Sequence, residues 1–400
     1  MLTVIKNARL VDSEIDRQGS LLLQDERIIA TGSIDAFSAL EAEAAVIDAQ
    51  GQTLMPAFVD LHAHFRDPGL TYKEDLLTGA QAALAGGYTA VNLMANTKPV
   101  CDTSEKQAAV MQRAAALDLI DIYQAQAITV NMQGEELTDF SSSLTPLLSD
   151  DGKGIADDKL MYKALEQAAA NGKILQLHEE NPEFAPDITG LAEETMVARD
   201  LTLAAAAKAP VYLCHISTAK ALKMVEIAKQ NGVQVICEVT PHHLALADNP
   251  YKVHPPLRSA ADCQALIDGI RKGTVDIIGT DHAPHSEADK AAGAPGLVGL
   301  ETAFSVLYTV LVEENKISLS KLSQLLSLRG AEILNLEQGR VLPGYKANLT
   351  LVDLTASRTI KPEKFHSKSH NTPFAGRTYR GEILWTMHNG KIKWRKETDK

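Results

Sequence analysis

Between about Leu54 and Leu336, short apolar segments alternate with longer amphipathic ones, and this alternation limits the folds open to the chain. The apolar segments are strand candidates at 54–60, 88–94, 121–128, 144–149, 173–178, 210–215, 233–239 and 275–280. The segments between them have helical spacing, and several end in glycine, as helices often do. Eight strands alternating with helices over roughly 280 residues fit a (β/α)8 barrel, whose typical size is about 250 residues. A doubly wound open sheet is the alternative, although no GxGxxG motif follows the first strand.

The two ends of the chain show a different pattern. Residues 2–48 contain short apolar or alternating runs separated by turns, which predict the strands of a small β unit. Residues 340–394 show the same pattern, with a hairpin signal at Asn389-Gly390. We therefore expect β-structure at both ends of an α/β protein.

Composition and charge exclude several classes of protein. The chain has 400 residues, 45% of them hydrophobic, so it can bury a core of ordinary size and is not expected to be disordered. Its 39 Lys and Arg against 51 Asp and Glu give a net charge of −12, which argues against a nucleic-acid partner. The N-terminus becomes charged too early for a secretory signal, and no apolar run approaches the roughly 20 residues of a membrane span. We expect a cytoplasmic protein without a membrane partner, with four free cysteines.

Histidine or aspartate residues stand at the ends of five predicted strands: His62 and His64 after the first, Asp150 and Asp151 after the fourth, His178 after the fifth, His215 after the sixth and Asp281 after the eighth. In a barrel these ends meet on the face that carries the active site. Four histidines with two carboxylates form a ligand set that suits zinc or a similar divalent ion. A single histidine at a strand end is more often an ordinary hydrogen-bonding group, and Asp-Asp-Gly alone is a turn signal. Five such strand ends together are much less expected by chance.

Polar residues next to these strand ends suggest how a substrate is held. Arg66 follows His64 by two residues, and its guanidinium could clamp a carboxylate or form a surface salt bridge. Asn96 could donate from its amide or cap a turn, and His285 could add a cation or a donor. His242 and His243 are interpreted as structural, since the ligand positions are already filled.

Seven motifs, in this order along the chain, resemble the dihydroorotase family of the amidohydrolase superfamily: FVDLHAHFRDPG, SDDGKGI, CHIST, EVTPHHL, PPLR, GTDHAPH and VGLETAF. The match is closest to the bacterial and archaeal group with an Asp-Asp-Gly motif. The resemblance implies that His62 and His64 bind one zinc ion, that His178 and His215 bind a second, and that Asp151 bridges the two. Related hydantoinases and allantoinases use a carboxylated lysine as the bridge. Asp281 would bind the first metal and shuttle protons as the catalytic residue.

The same resemblance implies a reaction, a substrate site and a domain arrangement. The reaction is the reversible conversion of (S)-dihydroorotate and water to N-carbamoyl-L-aspartate in pyrimidine synthesis, with one or two zinc ions per chain. The implied substrate-binding residues are His64, Phe65, Arg66, Asn96, His254, His285, Pro295 and Gly296. The two chain ends, 1–53 and 339–400, would form a β-sandwich, and residues 54–338 would form the barrel.

Three departures from the family pattern keep alternatives open. His254 stands where an asparagine is usual, Pro295-Gly296 stands in place of Phe-Gly, and the segment between His178 and His215 is short. The first alternative is another cyclic amidohydrolase, such as an allantoinase or a hydantoinase. The second, which does not depend on these departures, is a non-catalytic partner of aspartate carbamoyltransferase; such family members typically lose metal ligands, and this chain keeps all of them. The resemblance also suggests a homo-oligomer, and an active enzyme could still associate with that transferase.

Overall fold

Two groups of strands make up the β-structure, one from the chain ends and one from the middle of the chain. The computed structural model describes residues 1–185 and 189–397. Within them the strands are β1 (Leu2–Val11), β2 (Asp16–Gln24), β3 (Arg27–Gly32), β4 (Ala45–Asp48), β5 (Thr53–Pro56), β6 (Phe58–Ala63), β7 (Tyr88–Leu93), β8 (Asp121–Gln124), β9 (Leu147–Leu148), β10 (Ile174–Leu177), β11 (Val211–Leu213), β12 (Val235–Val239), β13 (Ile277–Ile278), β14 (Leu349–Thr359), β15 (Thr378–His388) and β16 (Lys391–Arg395).

The strands of the chain ends hydrogen-bond into one sheet in the order β16-β15-β14-β5-β1-β2-β3, with β4 beside β1. Ile5, Leu21, Leu54 and Trp385 are among the side chains of its own apolar core. The predicted hairpin joins β15 to β16 through Asn389 and Gly390. Their φ angles are 48° and 73°, and a tight two-residue turn requires positive φ angles at both positions. The predicted β-sandwich, built from both chain ends, is confirmed.

The strands of the middle form a closed parallel barrel. β6, β7 and β8 make one sheet and β9 to β13 make the other. Parallel bridges between Gln126 and Leu148 and between Ala63 and His282 join the two sheets at both seams. The (β/α)8 barrel is therefore confirmed, and the alternative of an open sheet is wrong. All eight strands point their carboxyl ends at the same face.

Several barrel strands are shorter than their apolar segments. Residues 121–128 form a strand only as far as Gln124, and 144–149 only at Leu147–Leu148. The amide of Gln124 donates to the carbonyls of Leu93 and Met94 at 3.2 and 3.1 Å, so a side chain satisfies backbone acceptors at this strand end. Beyond such points the chain turns into the loops that carry polar side chains.

Helices lie between the barrel strands and follow the last of them. They are α1 (Leu76–Ala85), α2 (Ser104–Ala115), α3 (Asp158–Ala170), α4 (Leu191–Ala207), α5 (Ala219–Gln230), α6 (Pro241–Ala245), α7 (Ala260–Lys272), α8 (Glu287–Ala291), α9 (Leu300–Leu307), α10 (Leu319–Ser323) and α11 (Arg329–Ile333). Asp75 caps α1 by accepting from the backbone N–H of Thr78 at 2.8 Å. Gly273 ends α7 with a φ of 80°, as predicted for a terminal glycine. Among the described residues, no helix combines the length and apolar character needed to cross a membrane.

The limits of the three segments stay a prediction. Strand β5 of the sandwich sheet extends to Pro56, and β14 resumes that sheet at Leu349. Residues 398–400, at the end of the last segment, lie outside the described residues, as do residues 186–188 of the short segment between His178 and His215.

Candidate active site

Two histidines at the end of β6 open the site, each with its Nε2 turned to the same point. Nδ1 of His62 lies 3.0 Å from Oε1 of Glu238, and Nδ1 of His64 lies 3.0 Å from Oδ1 of Asn96. Because both acceptors are oxygen atoms, each histidine donates from Nδ1 and keeps the lone pair of Nε2 available. Side chains two residues apart on a strand project to the same side, which explains the H-x-H spacing.

Aspartates from two other strand ends approach these Nε2 atoms. Asp151 follows β9 and Asp281 follows β13. Nε2 of His62 is 3.5 Å from Oδ1 of Asp151 and 3.5 Å from Oδ1 of Asp281, and Nε2 of His64 is 3.2 Å from the latter oxygen. All four side chains are buried.

His178 and His215, after β10 and β11, complete the group. Nδ1 of His178 is 3.0 Å from Nε2 of His215 and 3.6 Å from Oδ1 of Asp151. Nε2 of His215 is 3.8 Å from the same oxygen. The structure thus brings together all the residues expected to bind metal, and we call them the carboxylate–histidine cluster: His62, His64, Asp151, His178, His215 and Asp281.

Three residues of this face have left-handed backbone conformations. The φ angles of Arg66, His215 and Asp281 are 58°, 36° and 47°. Side chains other than glycine rarely adopt such angles, at a cost of about 1–3 kcal/mol each, and they concentrate at functional sites. The strain falls on residues whose side chains enter the candidate site.

A buried carboxylate on β12 orients two members of the cluster from behind. Oε1 of Glu238 accepts from Nδ1 of His62 and, at 2.9 Å, from the backbone N–H of His215. Its Oε2 accepts from the hydroxyl of Tyr212 at 2.6 Å. Glu238 was not among the residues expected in the site, although an acid inside the apolar run VICEV must be paired when the strand is buried.

The cluster fits a divalent metal ion. Nε2 of His62 and Oδ1 of Asp151 are buried, and neither has a hydrogen-bond partner within the described part of the chain, although buried polar atoms are normally paired. Among the residues that the structure describes, three sets of donor atoms lie within 4.8 Å of one another, and two of them consist of cluster members alone: His62, Asp151 and His215, and His62, His64 and Asp281. The third set, His62, Cys214 and Glu238, includes the side chain that orients His62 from behind. Imidazole nitrogen with carboxylate oxygen is a common donor set for such ions.

The pKa values of the cluster show how strongly it attracts positive charge. Burial alone would raise the pKa of Asp151 and of Asp281, but the surrounding histidines outweigh it and hold both pKa values below the usual range. Burial alone would lower the pKa of His178, yet Asp151 and Glu180 raise it to about 9. Carboxylates that stay ionised, beside a histidine whose proton they hold, form a group that a cation stabilises.

A second group of side chains, which includes Arg66 two residues after His64, has the opposite character. Nη2 of Arg66 lies 3.3 Å from Nε2 of His285, and Nζ of Lys73 lies 3.2 Å from Nδ1 of the same imidazole. We call Arg66, Lys73 and His285 the cationic group. Arg66 forms no ion pair with any described carboxylate, and its Nε makes only a long contact of 3.4 Å to the carbonyl of Pro284. The alternative of a surface salt bridge for Arg66 is therefore wrong.

Asn96 contacts the carboxylate–histidine cluster, whereas the side chain of Phe65 lies in the apolar core. Asn96 accepts from His64 and donates to the carbonyl and a carboxylate oxygen of Asp151 at 3.4 Å, so it contacts two cluster members. The ring of Phe65 is buried and packs edge-on against His282 at 6.1 Å and against Gly79. Its side chain thus belongs to the core, and any contact with a substrate falls to its main chain.

His254 reaches the cluster through a carboxylate that the sequence analysis missed. Nδ1 of His254 lies 2.9 Å from Oε2 of Glu180, and the same oxygen lies 3.0 Å from Nε2 of His178. Burial raises the pKa of Glu180, but the two histidines hold it below its usual range. His254 therefore stands at the edge of the site, 28% exposed.

Pro295 and Gly296 belong to a loop that is fixed by Lys290, from within the loop, and by Asn371, from outside it. The carbonyl of Gly296 accepts from Nζ of Lys290 at 2.9 Å and from Nδ2 of Asn371 at 3.1 Å. A Cβ atom at Gly296, where φ is 120°, would come within 2.8 Å of the Cβ of Ala283. Asn371 also accepts from the backbone N–H of His285 at 3.0 Å. The loop is thus tied to the segment that leads into the sandwich.

Of three further polar residues near the strand ends, Asp150 and His243 make hydrogen-bond contacts within the protein, and His242 has no hydrogen-bond partner among the described residues. Asp150 accepts from the backbone N–H groups of Ile128 and Thr129, so the first aspartate of the Asp-Asp-Gly motif fixes the loop. His243 contacts Thr240 at 2.8 Å and the carbonyl of Pro255 at 3.0 Å, in agreement with its structural interpretation. Both ring nitrogens of His242 are buried with no partner in the described ranges, and burial lowers its pKa to about 4.

Comparison with known proteins gives relatives of the full chain. The family model described as "Amidohydrolase family" matches residues 53–393. A dihydroorotase of Clostridium botulinum (strain Eklund 17B / Type B) is 44% identical over 99% of this chain and 100% of its own length. A dihydroorotase of Geobacillus sp. (strain WCH70) is 40% identical over 99% of both chains. Among solved structures, the L-hydantoinase (dihydropyrimidinase) of Arthrobacter aurescens superimposes with a TM-score of 0.87 at 24% identity, covering 98% of this chain and 95% of that one, a likeness of fold.

Proposed function

Because the chain belongs to the amidohydrolase family, we propose that it is a dihydroorotase, which interconverts (S)-dihydroorotate plus water and N-carbamoyl-L-aspartate. The reaction hydrolyses a cyclic amide: the water oxygen bonds to the amide carbon, the carbon–nitrogen bond breaks, and the nitrogen gains a proton. The reverse reaction closes the ring and releases the water.

The observation that carries this proposal is the pairing of two groups of opposite character on one face of the barrel. The carboxylate–histidine cluster suits hydrolysis of an amide, and the cationic group suits recognition of a carboxylate. His64 and Arg66 are two residues apart in the chain, so the two groups adjoin. Dihydroorotate carries both an amide in its ring and a carboxylate beside it.

We assign the metal to zinc, held by the six residues of the carboxylate–histidine cluster. His62, His64 and Asp281 would hold one ion, His178 and His215 a second, and Asp151 would bridge them. The imidazole-rich donor set favours zinc over magnesium or calcium, which prefer oxygen alone. A bound zinc ion would lower the pKa of water and polarise a carbonyl group.

Asp281 is the residue that we assign to proton transfer. Its Oδ1 lies between His62 and His64, and the low pKa of its carboxyl keeps it ionised and able to accept a proton at neutral pH. It takes the proton of the attacking water and delivers it to the departing ring nitrogen. His64 and Asn96 hold this side of the pocket in register, since Asn96 fixes the orientation of the His64 ring.

Two members of the cationic group, Arg66 and His285, bind the substrate carboxylate. Arg66 has no carboxylate partner among the described residues, so its guanidinium is available for a paired contact with two carboxylate oxygens. His285 adds a second donor. His254, Pro295, Gly296 and the main chain around Phe65 would line the rest of the pocket.

The wider assignments rest on the same proposal. The substrate is small and anionic, and we place the enzyme in the cytoplasm as a homo-oligomer. Association with aspartate carbamoyltransferase is a further prediction, which co-purification of the two proteins would test.

Turnover measurements test the proposed function directly. Purified protein loaded with zinc should hydrolyse dihydroorotate in preference to hydantoin, dihydrouracil and allantoin, and treatment with a chelator should abolish this activity until zinc is restored. Faster turnover of a cyclic amide without a carboxylate would overturn the assignment in favour of a hydantoinase or an allantoinase. A stoichiometry of less than half a zinc ion per chain, with no turnover, would favour the non-catalytic alternative.

A further inference from the structure

A buried lysine that the proposed reaction does not use lies behind His285. Lys73 precedes α1 and is only 9% exposed. Its Nζ lies 3.2 Å from Nδ1 of His285 and 3.4 Å from Oδ1 of Asp289. The carbonyl of Lys73 accepts from the hydroxyl of Ser369 at 2.7 Å, which fixes the main chain at this point. The ammonium group is thus held against one nitrogen of the imidazole.

The two nitrogens of His285 both face donors. An ammonium group has only N–H donors, and so has a guanidinium. Lys73 stands at Nδ1 and Arg66 stands at Nε2, at 3.2 and 3.3 Å. A neutral imidazole has one acceptor and one donor nitrogen, so it can accept from only one of these two cations. Burial and the charges of Arg66 and Lys73 lower the pKa of His285 to about 3, so the ring is neutral at physiological pH.

The two possible tautomers differ in where the remaining N–H points. If Nε2 accepts from Arg66, the N–H at Nδ1 is directed at the ammonium of Lys73, which cannot accept it. If Nδ1 accepts from Lys73, the N–H at Nε2 lies beside an N–H of Arg66, and both donors are available to a single anion. The second arrangement leaves unmet donors only where a carboxylate would accept from them.

We propose that Lys73 is a positioning residue that fixes His285 as the tautomer with its proton on Nε2, so that His285 and Arg66 together donate to the substrate carboxylate. This inference rests on the proposed function for the identity of the anion, but the tautomer itself does not. Asp289 lies on the far side of the Lys73 ammonium and balances its charge.

A double-mutant cycle separates this role from simple attraction of an anion by a cation. The variants are Lys73→Met, His285→Gln and the double variant, measured by KM and kcat for dihydroorotate. Lys73→Met should raise KM about tenfold and change kcat less than about twofold, since one hydrogen bond to a charged group is lost in binding. A glutamine amide always has N–H donors and no tautomers. In the His285→Gln background, Lys73→Met should therefore change KM by less than about twofold.

Two further variants control for charge and for folding. Lys368→Met removes a nearby cation that contacts Asp75 and the carbonyl of Thr71 rather than His285, and should leave KM unchanged. Lys73→Arg keeps a donor at the same place and should retain most of the affinity. If Lys73→Met raises KM by the same factor in both backgrounds, the lysine acts by charge alone and the proposal is wrong.

Nitrogen NMR of the histidine ring gives a test that needs no turnover. In zinc-loaded protein labelled with 15N-histidine, the His285 signals are those missing from His285→Gln. We expect Nδ1 to be unprotonated and Nε2 to be protonated, and we expect Lys73→Met to shift both signals towards the other tautomer. A proton on Nδ1 in the wild-type protein would overturn the inference. If the expected tautomer is found but dihydroorotate is not turned over, the proposed function fails and the assignment of Lys73 stands.

Discussion

His178 and His285 are buried imidazoles at the same face of the barrel, yet their pKa values move in opposite directions. Burial lowers the pKa of both, but Asp151 and Glu180 bring that of His178 up to about 9. Arg66 and Lys73 reinforce burial at His285 and lower its pKa to about 3. Neighbouring carboxylates overcome the effect of burial at His178, whereas at His285 burial is the largest cause of the lowered pKa and the neighbouring cations add to it. The site thus has one half that attracts a cation and one half that attracts an anion.

The largest effect on activity is expected from substitution of Asp281, the member of the carboxylate–histidine cluster that takes part in the chemistry. Asp281→Asn should lower kcat for dihydroorotate by about 10³-fold, because an amide cannot accept and return the proton. KM should change much less, since the cationic group is intact. Zinc content, measured on the same samples, separates loss of the proton acceptor from loss of metal. A variant that keeps its zinc and more than a tenth of wild-type kcat would contradict the role of Asp281.

A smaller effect is expected when the cluster is disturbed from behind. Glu238→Gln removes the charge that orients His62 and the backbone of His215, and should weaken zinc binding by about 10–100-fold. Competition with a chromogenic chelator measures this affinity. Tyr212→Phe removes only the hydroxyl on the other oxygen and serves as the matched control, with an expected change of a few-fold at most. Equal losses in the two variants would show that packing, and not the charge of Glu238, supports the cluster.

Removing the guanidinium of Arg66 tests the cationic group without changing the carboxylate–histidine cluster. Arg66→Met should raise KM for dihydroorotate by about 10–100-fold, since charged hydrogen bonds to the substrate carboxylate contribute roughly 1.5–3 kcal/mol. Turnover of dihydrouracil, which has the ring amide but no carboxylate, should be unaffected by this change. If both substrates lose activity together, Arg66 supports the whole site and does not recognise the carboxylate.

The smallest effect concerns stability and pH. The pKa of His285 is about 3 in the folded protein against a usual 6.5, so between these values the unfolded chain binds a proton that the native chain does not. This contribution therefore makes the native state more stable as pH rises through that window, and it is absent in His285→Gln. The free energy of unfolding can be measured with urea and saturating zinc at about pH 5 and about pH 7.5. Between these pH values, the stability of wild type relative to His285→Gln should rise by less than about 1 kcal/mol, allowing for solvent screening. A difference that does not change with pH would show that folding leaves the pKa of His285 unshifted, and one that falls with pH would show that folding raises it; either result contradicts the lowered pKa.

The sequence predicts the barrel and the cluster because their signals are local. Each strand is a short apolar run, and each expected ligand lies in the last residues of its strand or within three residues after it. A single topology therefore brings His62, Asp151, His215 and Asp281 together. The sandwich is predicted for the same reason, with the hairpin at Asn389-Gly390 as its clearest signal.

The residues that the sequence did not single out act through partners far away in the chain. Lys73 contacts a histidine 212 residues later, and Asn371 fixes a backbone group 86 residues earlier. Neither residue type is unusual in its local sequence, so only the folded chain reveals the pairs. Some strands, such as β8, end before their apolar runs do. The side-chain amide of Gln124 donates to the carbonyls of Leu93 and Met94 at the point where the apolar run alone would continue the strand.

The hydrogen bonds made by the segment from Ser367 to Asn371 determine when the site can be completed during synthesis. The loop from Ala283 to Gly296 leaves the ribosome well before the asparagine that bonds to both of its ends. Ser367 and Ser369, which bond to Glu74 and to the carbonyl of Lys73, emerge just before it. A nascent chain can therefore close its barrel while the substrate-binding loop still lacks these bonds. The cationic group gains these supporting hydrogen bonds only when the last strands of the sandwich are being synthesised.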